Sequence, residues 1–315
     1  MKKILITGGD GFIGSHLAES LLTQGARVRI LDNLSTRAGA NLDFLKSLNS
    51  GHLETVIDDI RSPESCQRAC QGMDYVLHQA GLGSVPKSIE DPLISHDINA
   101  TGTLNMLWAA KKAGVKRFVW ASSSSVYGDP SPAQSPKEEA LKPRPISPYA
   151  AAKLSAEHYA RLFFRHYGLE TVSLRYFNVF GPRQDPDSPY AAVIPKFIQA
   201  LSSDRPPTVF GDGKQSRDFT YISLVVAANL SALKAPQAPG RVINVASGQA
   251  HNLLDVLARL QRLMGKEVEP VFAPPRPGDV SHSLADISLA VKILGFKPEP
   301  GFEQGLAQTV AWHQG

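Results

Sequence analysis

Tyr149 and Lys153 stand four residues apart in Tyr149-Ala-Ala-Ala-Lys153, and Ser123 lies 26 residues upstream of the tyrosine. On a helix that spacing puts an ammonium beside a phenol, where positive charge favours phenolate and lowers the tyrosine pKa. A tyrosine so placed acts as a base near neutral pH. A serine hydroxyl from another segment can hydrogen-bond the same substrate oxygen, so the three groups suit proton transfer at a carbinol.

A carbinol oxidation also needs a hydride acceptor, and the N-terminus offers a place for one. Gly8, Gly11 and Gly14 in Thr7-Gly-Gly-Asp-Gly-Phe-Ile-Gly14 follow an apolar run and open a helical pattern. Such glycines permit a tight turn and a close backbone approach to a pyrophosphate, which then sits at the helix N-terminus with Phe12 and Ile13. Asp32 follows Gly14 by 18 residues, at the end of the next strand pattern. Its carboxylate would accept hydrogen bonds from an adenosine ribose and repel a 2′-phosphate, so NAD is expected over NADP. Arg37 is the contrary sign, and Asp59-Ile60 could contact the adenine.

The elements that must position these groups are legible as alternating patterns. Strands are expected at Lys3–Thr7, Arg27–Leu31, Leu53–Ile57, Tyr75–Gln79, Arg117–Ser122 and Thr171–Arg175. Helices are expected at Phe12–Thr23, Glu64–Gln71, Ile94–Ala113 and Pro148–Tyr167, with Gly25, Gly114 and Gly168 just past three of them. This alternation predicts an α/β fold with a Rossmann-type doubly wound parallel sheet. After about Tyr176 the regularity breaks into Pro- and Gly-rich loops, with further helices near 192–202, 223–233, 252–264 and two within 286–313. An NAD-binding domain over 1–176 with returning segments near 215–245 is therefore expected, with a substrate lobe from 177–214 and 246–315. The polar stretch 128–147 reads as a mobile loop beside the site.

Composition narrows the classes. With 315 residues and 43% hydrophobic content the chain can bury a large core, and its net charge of +4 is dispersed rather than striped. No nucleic-acid motif, apolar span or signal-like leader is evident, so a cytoplasmic enzyme with no membrane or nucleic-acid partner is expected. Cys66 and Cys70 lack a second ligand pair at metal spacing, so no metal is expected.

The motifs TGGDGFIG at 7–14, SSSSVYGD at 122–129, YAAAK at 149–153 and LRYFNVFGPRQ at 174–184 resemble the extended short-chain dehydrogenase/reductase family in its nucleotide-sugar branch. The resemblance covers essentially the whole chain. It implies Ser123, Tyr149 and Lys153 as the catalytic set, and adds Asn33, Gln79, Ala80 and Asn99 to the NAD contacts. Sugar dehydratases of the family carry Thr-Asp-Glu after that strand and its decarboxylases a Glu, whereas here stand Ser123-Ser124-Ser125. Without a second carboxyl, the expectation is epimerisation: a hydride leaves C4 of the sugar, and the 4-keto sugar turns and receives it on its other face.

The same resemblance places Asn178, Arg217 and Arg276 on a substrate diphosphate and Asp279 on a uridine ribose. Gly83-Ser84-Val85-Pro86, residues 181–195 and 278–288 are similar to bacterial epimerases that use UDP-N-acetylglucosamine. Ser283 occupies the position of a bulky Tyr in epimerases restricted to plain hexoses, and Ser84, Ser124, Ser125, Gln184, Ala192 and Val193 would complete the sugar pocket. Asp187-Ser188 and Pro182 depart from that pattern, as does Gly81, where an Ala is usual; the last is expected to be harmless. A UDP-glucose or UDP-glucuronate 4-epimerase and a non-catalytic NAD-binding regulator are the alternatives. The family implies a homodimer through the helices near 94–113 and 149–167.

Overall fold

A computed structural model describes residues 2–36, 38–48, 50–131, 134–186, 192–275 and 280–314. Its centre is a seven-stranded sheet of β1 (Lys3–Thr7), β2 (Arg27–Asp32), β3 (Leu53–Ile57), β4 (Tyr75–His78), β5 (Arg117–Ser123), β6 (Glu170–Tyr176) and β11 (Val242–Val245). All neighbours are parallel, in the order β11-β6-β5-β4-β1-β2-β3. The order reverses between β1 and β4, and at such a switch point the carboxyl ends of the strands open a crevice for ligands.

Both faces of the sheet are covered at its centre, which is why β1, β4 and β5 are buried almost throughout. Ile4 and Ile6 enter one core with α1 (Phe12–Thr23), while Leu5 between them enters the other with α3 (Pro63–Cys70) and α6 (Gly102–Lys112). In β5 the same alternation sends Val119 and Ala121 one way and Phe118 and Trp120 the other. Gly25, Gly114 and Gly168 all take left-handed φ angles of 69° to 74°. Each closes a helix as its position suggested.

Helix α7 (Pro148–Tyr167) starts where Ser147 accepts the Ala150 N–H at 3.2 Å. Ala150, Ala152, Ala156 and Ala160 line its buried side, and these small side chains let it lie close to the sheet. The helix expected over 94–113 is present as one helical run that starts two residues earlier: α5 (Pro92–His96), a widened turn Asp97–Thr101 and then α6. The Asn99 amide donates to Leu82 O at 3.2 Å and Ser95 O at 3.0 Å from that turn. A widened turn aims this one side chain out of the regular ladder.

Two helices escaped sequence analysis, α2 (Ala40–Ser47) and α4 (Val85–Glu90). The remaining elements are β7 (Val179–Phe180), α8 (Val193–Ser202), β8 (Thr208–Phe210), β9 (Ser216–Asp218), β10 (Thr220–Tyr221), α9 (Ile222–Ala232), β12 (Ala250–Asn252), α10 (Leu253–Met264), β13 (Val271–Ala273), β14 (His282–Ser283), α11 (Ser288–Leu294) and α12 (Phe302–Gln314). Helix α9 packs on α1, and β11 joins the large sheet, whereas β9 lies between β12 and β14 in a three-stranded sheet.

Cys66 and Cys70 are fully buried on α3, and burial pushes both thiols up to about 12. At pH 8 their thiolate fraction is then about one in 10⁴, too small for ready attack. Ellman's reagent is expected to label neither thiol in the native protein and both in urea; fast native labelling would contradict this burial.

Candidate active site

The glycine turn after β1 packs too closely for side chains. A Cβ on Gly14 would lie 2.0 Å from Gly8 O, and one on Gly8, whose φ is +69°, would lie 2.7 Å from Ala80 N. The turn thus presses against the end of β4, where Ala80 N donates to Thr7 Oγ1 at 3.1 Å. Gly11 precedes α1 without a side-chain cap, unlike Ser62, Ser84, Asp91, Ser147 and Asn252, which cap their helices. The N–H groups of the first turn of α1, from Phe12 and Ile13 onward, therefore lack a side-chain acceptor.

Asp32 ends β2 beside this turn, its carboxylate accepting from Asp10 N at 2.9 Å and Leu34 N at 2.8 Å. Burial raises its pKa against those two hydrogen bonds. Asp10, which sequence analysis passed over, accepts from Gly39 N and Leu42 N at 2.9 Å each and so starts α2. Asp59 accepts from Asn33 and is paired with Arg61 at 2.8 Å, and the Arg61 hydrogen bond holds its carboxyl down to about 2. Ile60 is buried against Gly102. The Gln79 amide is taken up by Tyr176 and Asn229. Arg37 lies outside the described residues.

Tyr149 and Ser123 meet at the end of β5, where the Ser123 hydroxyl favours ionisation of the phenol. The Ser123 hydroxyl also accepts from Ser125 N at 3.2 Å and Ser125 Oγ at 2.8 Å, which orders the turn Ser124–Tyr127. Lys153 sits one turn along α7, its Nζ 6.0 Å from the centre of the Tyr149 ring. One expectation is corrected here. Lys153 does not hold the phenol down in the chain alone: burial raises the Tyr149 pKa, with the Ser123 hydroxyl opposing. Lys153 itself is buried, donates to Ala121 O at 2.8 Å, and is lowered by burial to about 8.

Gly81, where an Ala is the usual residue, borders this corner. A Cβ there would lie 2.8 Å from Asn99 Oδ1 and 3.2 Å from Lys153 Nζ. Asn99 Oδ1 accepts from Leu82 N at 3.1 Å, so the missing methyl leaves room for the Asn99 clasp beside the lysine.

Beneath the serines lies a buried network that the sequence did not reveal. Ser122 Oγ donates to Glu157 Oε1 at 2.5 Å, and Arg175 binds both Glu157 oxygens at 2.9 and 2.7 Å. The guanidinium lies 4.5 Å over the Tyr127 ring, whose hydroxyl donates to Asn244 at 2.7 Å. Burial works against the Arg175 cation, and Glu157 outweighs it, so the Arg175 pKa is raised.

The lobe brings several of the expected substrate residues to one strand set. Arg217 on β9 and Ser283 on β14 are direct cross-strand partners, both buried. Asp218 fixes them in place, accepting from Ser247, Gly248 and Ala285. Asn178, at φ +29°, donates to Asp218 O at 3.1 Å, and left-handed backbone of this kind is typical of Asn in tight turns. Ser84 caps α4 by accepting from Lys87 N at 3.2 Å. Gln184 donates to Val179 O at 3.1 Å, while its buried Oε1 has no partner among the described residues. Ala192 and Val193 begin α8. Arg276, Asp279, Asp187 and Ser188 lie outside the described residues.

In the stretch 128–147, expected to be mobile, the described residues around Lys137 and Arg144 are fastened instead. Lys137 N donates to Leu284 O at 2.8 Å, Asp286 N donates to Lys137 O at 3.0 Å, and Arg144 N donates to Val126 O at 3.0 Å.

Residues 4–246 match the NAD dependent epimerase/dehydratase family. The chain belongs to that family. Its UDP-glucose 4-epimerase relative from Mycolicibacterium smegmatis is 36% identical over 310 residues, covering 98% of this chain and 97% of the relative. The solved UDP-N-acetylglucosamine 4-epimerase from Methanobrevibacter ruminantium, in complex with UDP-N-acetylmuramic acid, superposes with a TM-score of 0.93 at 40% identity, covering 99% of this chain and 98% of that one. A UDP-glucuronic acid 4-epimerase from Bacillus cereus, solved with UDP-glucuronic acid and NAD, gives 0.91 at 34% identity over 99% of each chain.

NAD is the cofactor of this family, and the residues fit it. The side-chain-free cradle at Gly8–Gly14 and the uncapped first turn of α1 suit a pyrophosphate. Asp32 suits the adenosine ribose, and Lys153 reaches the side of the crevice where Tyr149 stands. Among the described residues no cluster of His, Cys, Asp and Glu could hold a metal ion, and no helix is long and apolar enough to cross a membrane.

Proposed function

We propose that this chain interconverts UDP-N-acetylglucosamine and UDP-N-acetylgalactosamine by epimerisation at C4, with UDP-glucose and UDP-galactose as further substrates. It is an NAD-dependent UDP-sugar 4-epimerase, an isomerase. The observation that carries this reading is the Ser123–Tyr149 pair at the end of β5, with serines and no carboxylate at 124 and 125. An elimination or a decarboxylation would need a further acid or base there.

NAD bound in the crevice supplies the acceptor and donor for the C4 hydride. Tyr149 takes the proton of the sugar 4-hydroxyl and returns it once the keto sugar has turned. Ser123 holds the same oxygen through a hydrogen bond, and Lys153, one turn along, supplies positive charge at the phenol side. Arg217 and Asn178, with Arg276, anchor the diphosphate, about which the sugar can swing without leaving. Asp279 takes the uridine ribose. Ser84, Ser124, Ser125, Gln184, Ala192, Val193 and Ser283 line the sugar pocket, and the small Ser283 leaves room for a 2-acetamido group.

The enzyme works as a cytoplasmic homodimer joined through α5–α6 and α7. Leu93, 80% exposed, together with the exposed Trp108, Leu162 and Tyr167, presents the apolar surface such a contact would cover. Residues 1–176 with the returning α9 and β11 form the NAD-binding part and the rest the sugar lobe, to which β9, inside the expected 215–245, belongs through its pairing with β12 and β14.

Chromatography of products after incubation with UDP-N-acetylglucosamine, UDP-glucose and UDP-glucuronate tests the substrate reading. Ser283→Tyr is expected to lower kcat/KM for the N-acetylated sugar by roughly 100-fold while leaving UDP-glucose within a few-fold. Equal activity of the variant on both sugars would remove Ser283 as the gate. Turnover of UDP-glucuronate alone would replace the substrate.

A further inference from the structure

Lys137 is 3% exposed, in a segment whose composition suggests a solvated loop. Its backbone is stitched to Leu284 and Asp286, directly after β14, and Asn244 Nδ2 donates to its carbonyl at 2.9 Å. Its side chain runs the other way. Nζ donates to Gly128 O at 3.3 Å, and Gly128 N in turn donates to Ser125 O at 3.1 Å. The ammonium therefore lies between the serine turn and the strand that carries Ser283.

An ammonium has three donors, and among the described residues this one has a single acceptor and no ion pair. The charges that act on it are Asp129, from the start of the same segment, and Arg217, from β9. Asp129 is engaged by Ser281, through its N at 3.2 Å and Oγ at 3.3 Å. The other carboxylates around it are also occupied: Glu139 by Asn244 N, Asp286 by Ser288 N, and Asp218 by Ser247, Gly248 and Ala285. The like charge of Arg217 disfavours the Lys137 ammonium, and an anion placed beside both would favour it.

We propose that Lys137 is a further substrate-binding residue, whose ammonium shares the diphosphate of the nucleotide sugar with Arg217. The proposal rests on the reading of the chain as a UDP-sugar enzyme. Burial holds the Lys137 ammonium down to about 8, with Asp129 favouring the charge and Arg217 opposing it. A bound diphosphate favours the charged form, so binding above pH 8 must take up a proton and weakens as pH rises. The folded pKa is below that of the unfolded chain, so the charged lysine destabilises the fold below pH 8, and this penalty fades as pH rises through 8 and beyond. Lys137→Met removes it, and the variant is expected to fold with a Tm at pH 7 no lower than that of the parent.

The test is calorimetric titration of the NAD-loaded protein with UDP between pH 7.5 and 9.5. Lys137→Met is expected to weaken UDP binding by about 10- to 100-fold at pH 7.5 and to flatten the pH dependence, while Lys137→Arg keeps the affinity and makes it independent of pH. Unchanged UDP affinity in Lys137→Met, or a pH slope that survives in it, would overturn the proposal. UDP binding is read without turnover, so a parent protein that binds UDP through Lys137 yet epimerises no UDP-sugar would sink the epimerase reading alone.

Discussion

Tyr149→Phe is expected to lower kcat for 4-epimerisation by about 10³-fold, within the range that positioned acid–base catalysis contributes. NAD content, UDP affinity and Tm should stay at parental values, because the ring remains and only one oxygen is lost. Ser123 would keep its hydrogen bonds from Ser125, so the turn beneath it persists. Tyr149 accepts a proton only as phenolate, and burial holds its pKa above the ordinary value. The base form therefore grows as pH rises, and parental kcat should climb with pH across the neutral range and then level off. The Phe variant should show no such climb. A variant that keeps a tenth or more of the parental kcat would remove Tyr149 from the proton transfer.

The second large effect falls on stability. Arg175→Met strands Glu157, a buried carboxylate that otherwise receives two guanidinium hydrogen bonds and one from Ser122. Removing one partner of a buried pair costs about 3–5 kcal/mol, which corresponds to a fall in Tm on the order of 10 °C. The double variant Arg175→Met with Glu157→Leu leaves no charge behind and should recover most of the loss. Thermal unfolding followed by circular dichroism reads both. If the single variant melts within 2 °C of the parent, the pair is not holding the strand end in place.

Much of the large sheet was legible because short β-branched and apolar runs alternate with helical patterns, and β1, β3, α1 and α7 have the bounds that the patterns suggest. The glycine turn was legible for a similar reason, since its spacing is set by local backbone approach. What escaped depends on distant partners. Helix α2 is started by Asp10, some thirty residues upstream, and nothing local to 40–47 announces it. Glu157 and Arg175 sit on a helix and a strand with no spacing rule between them. Lys137 was hidden by its neighbours, because a Pro- and charge-rich segment reads as solvated whether or not tertiary pairing buries one of its members. The phenol pKa was misjudged because helical spacing places a charge but says nothing of burial, which here has the larger influence.

The register of β14 against β9 bears on how this enzyme can change. Ser283 and Arg217 are paired residues of a parallel ladder, so their side chains share one face, and a slip of one residue would turn one of them away. Asp218 clamps that ladder at Ala285 and at the 247–248 turn. Lengthening or shortening the chain just before His282 would strain the clamp or misdirect Ser283. A point substitution at 283 disturbs neither. If Ser283 gates the sugar and Arg217 holds the diphosphate as proposed, sugar preference can drift by single residue exchange within a frame of fixed length, while the grip on the nucleotide stays as it is.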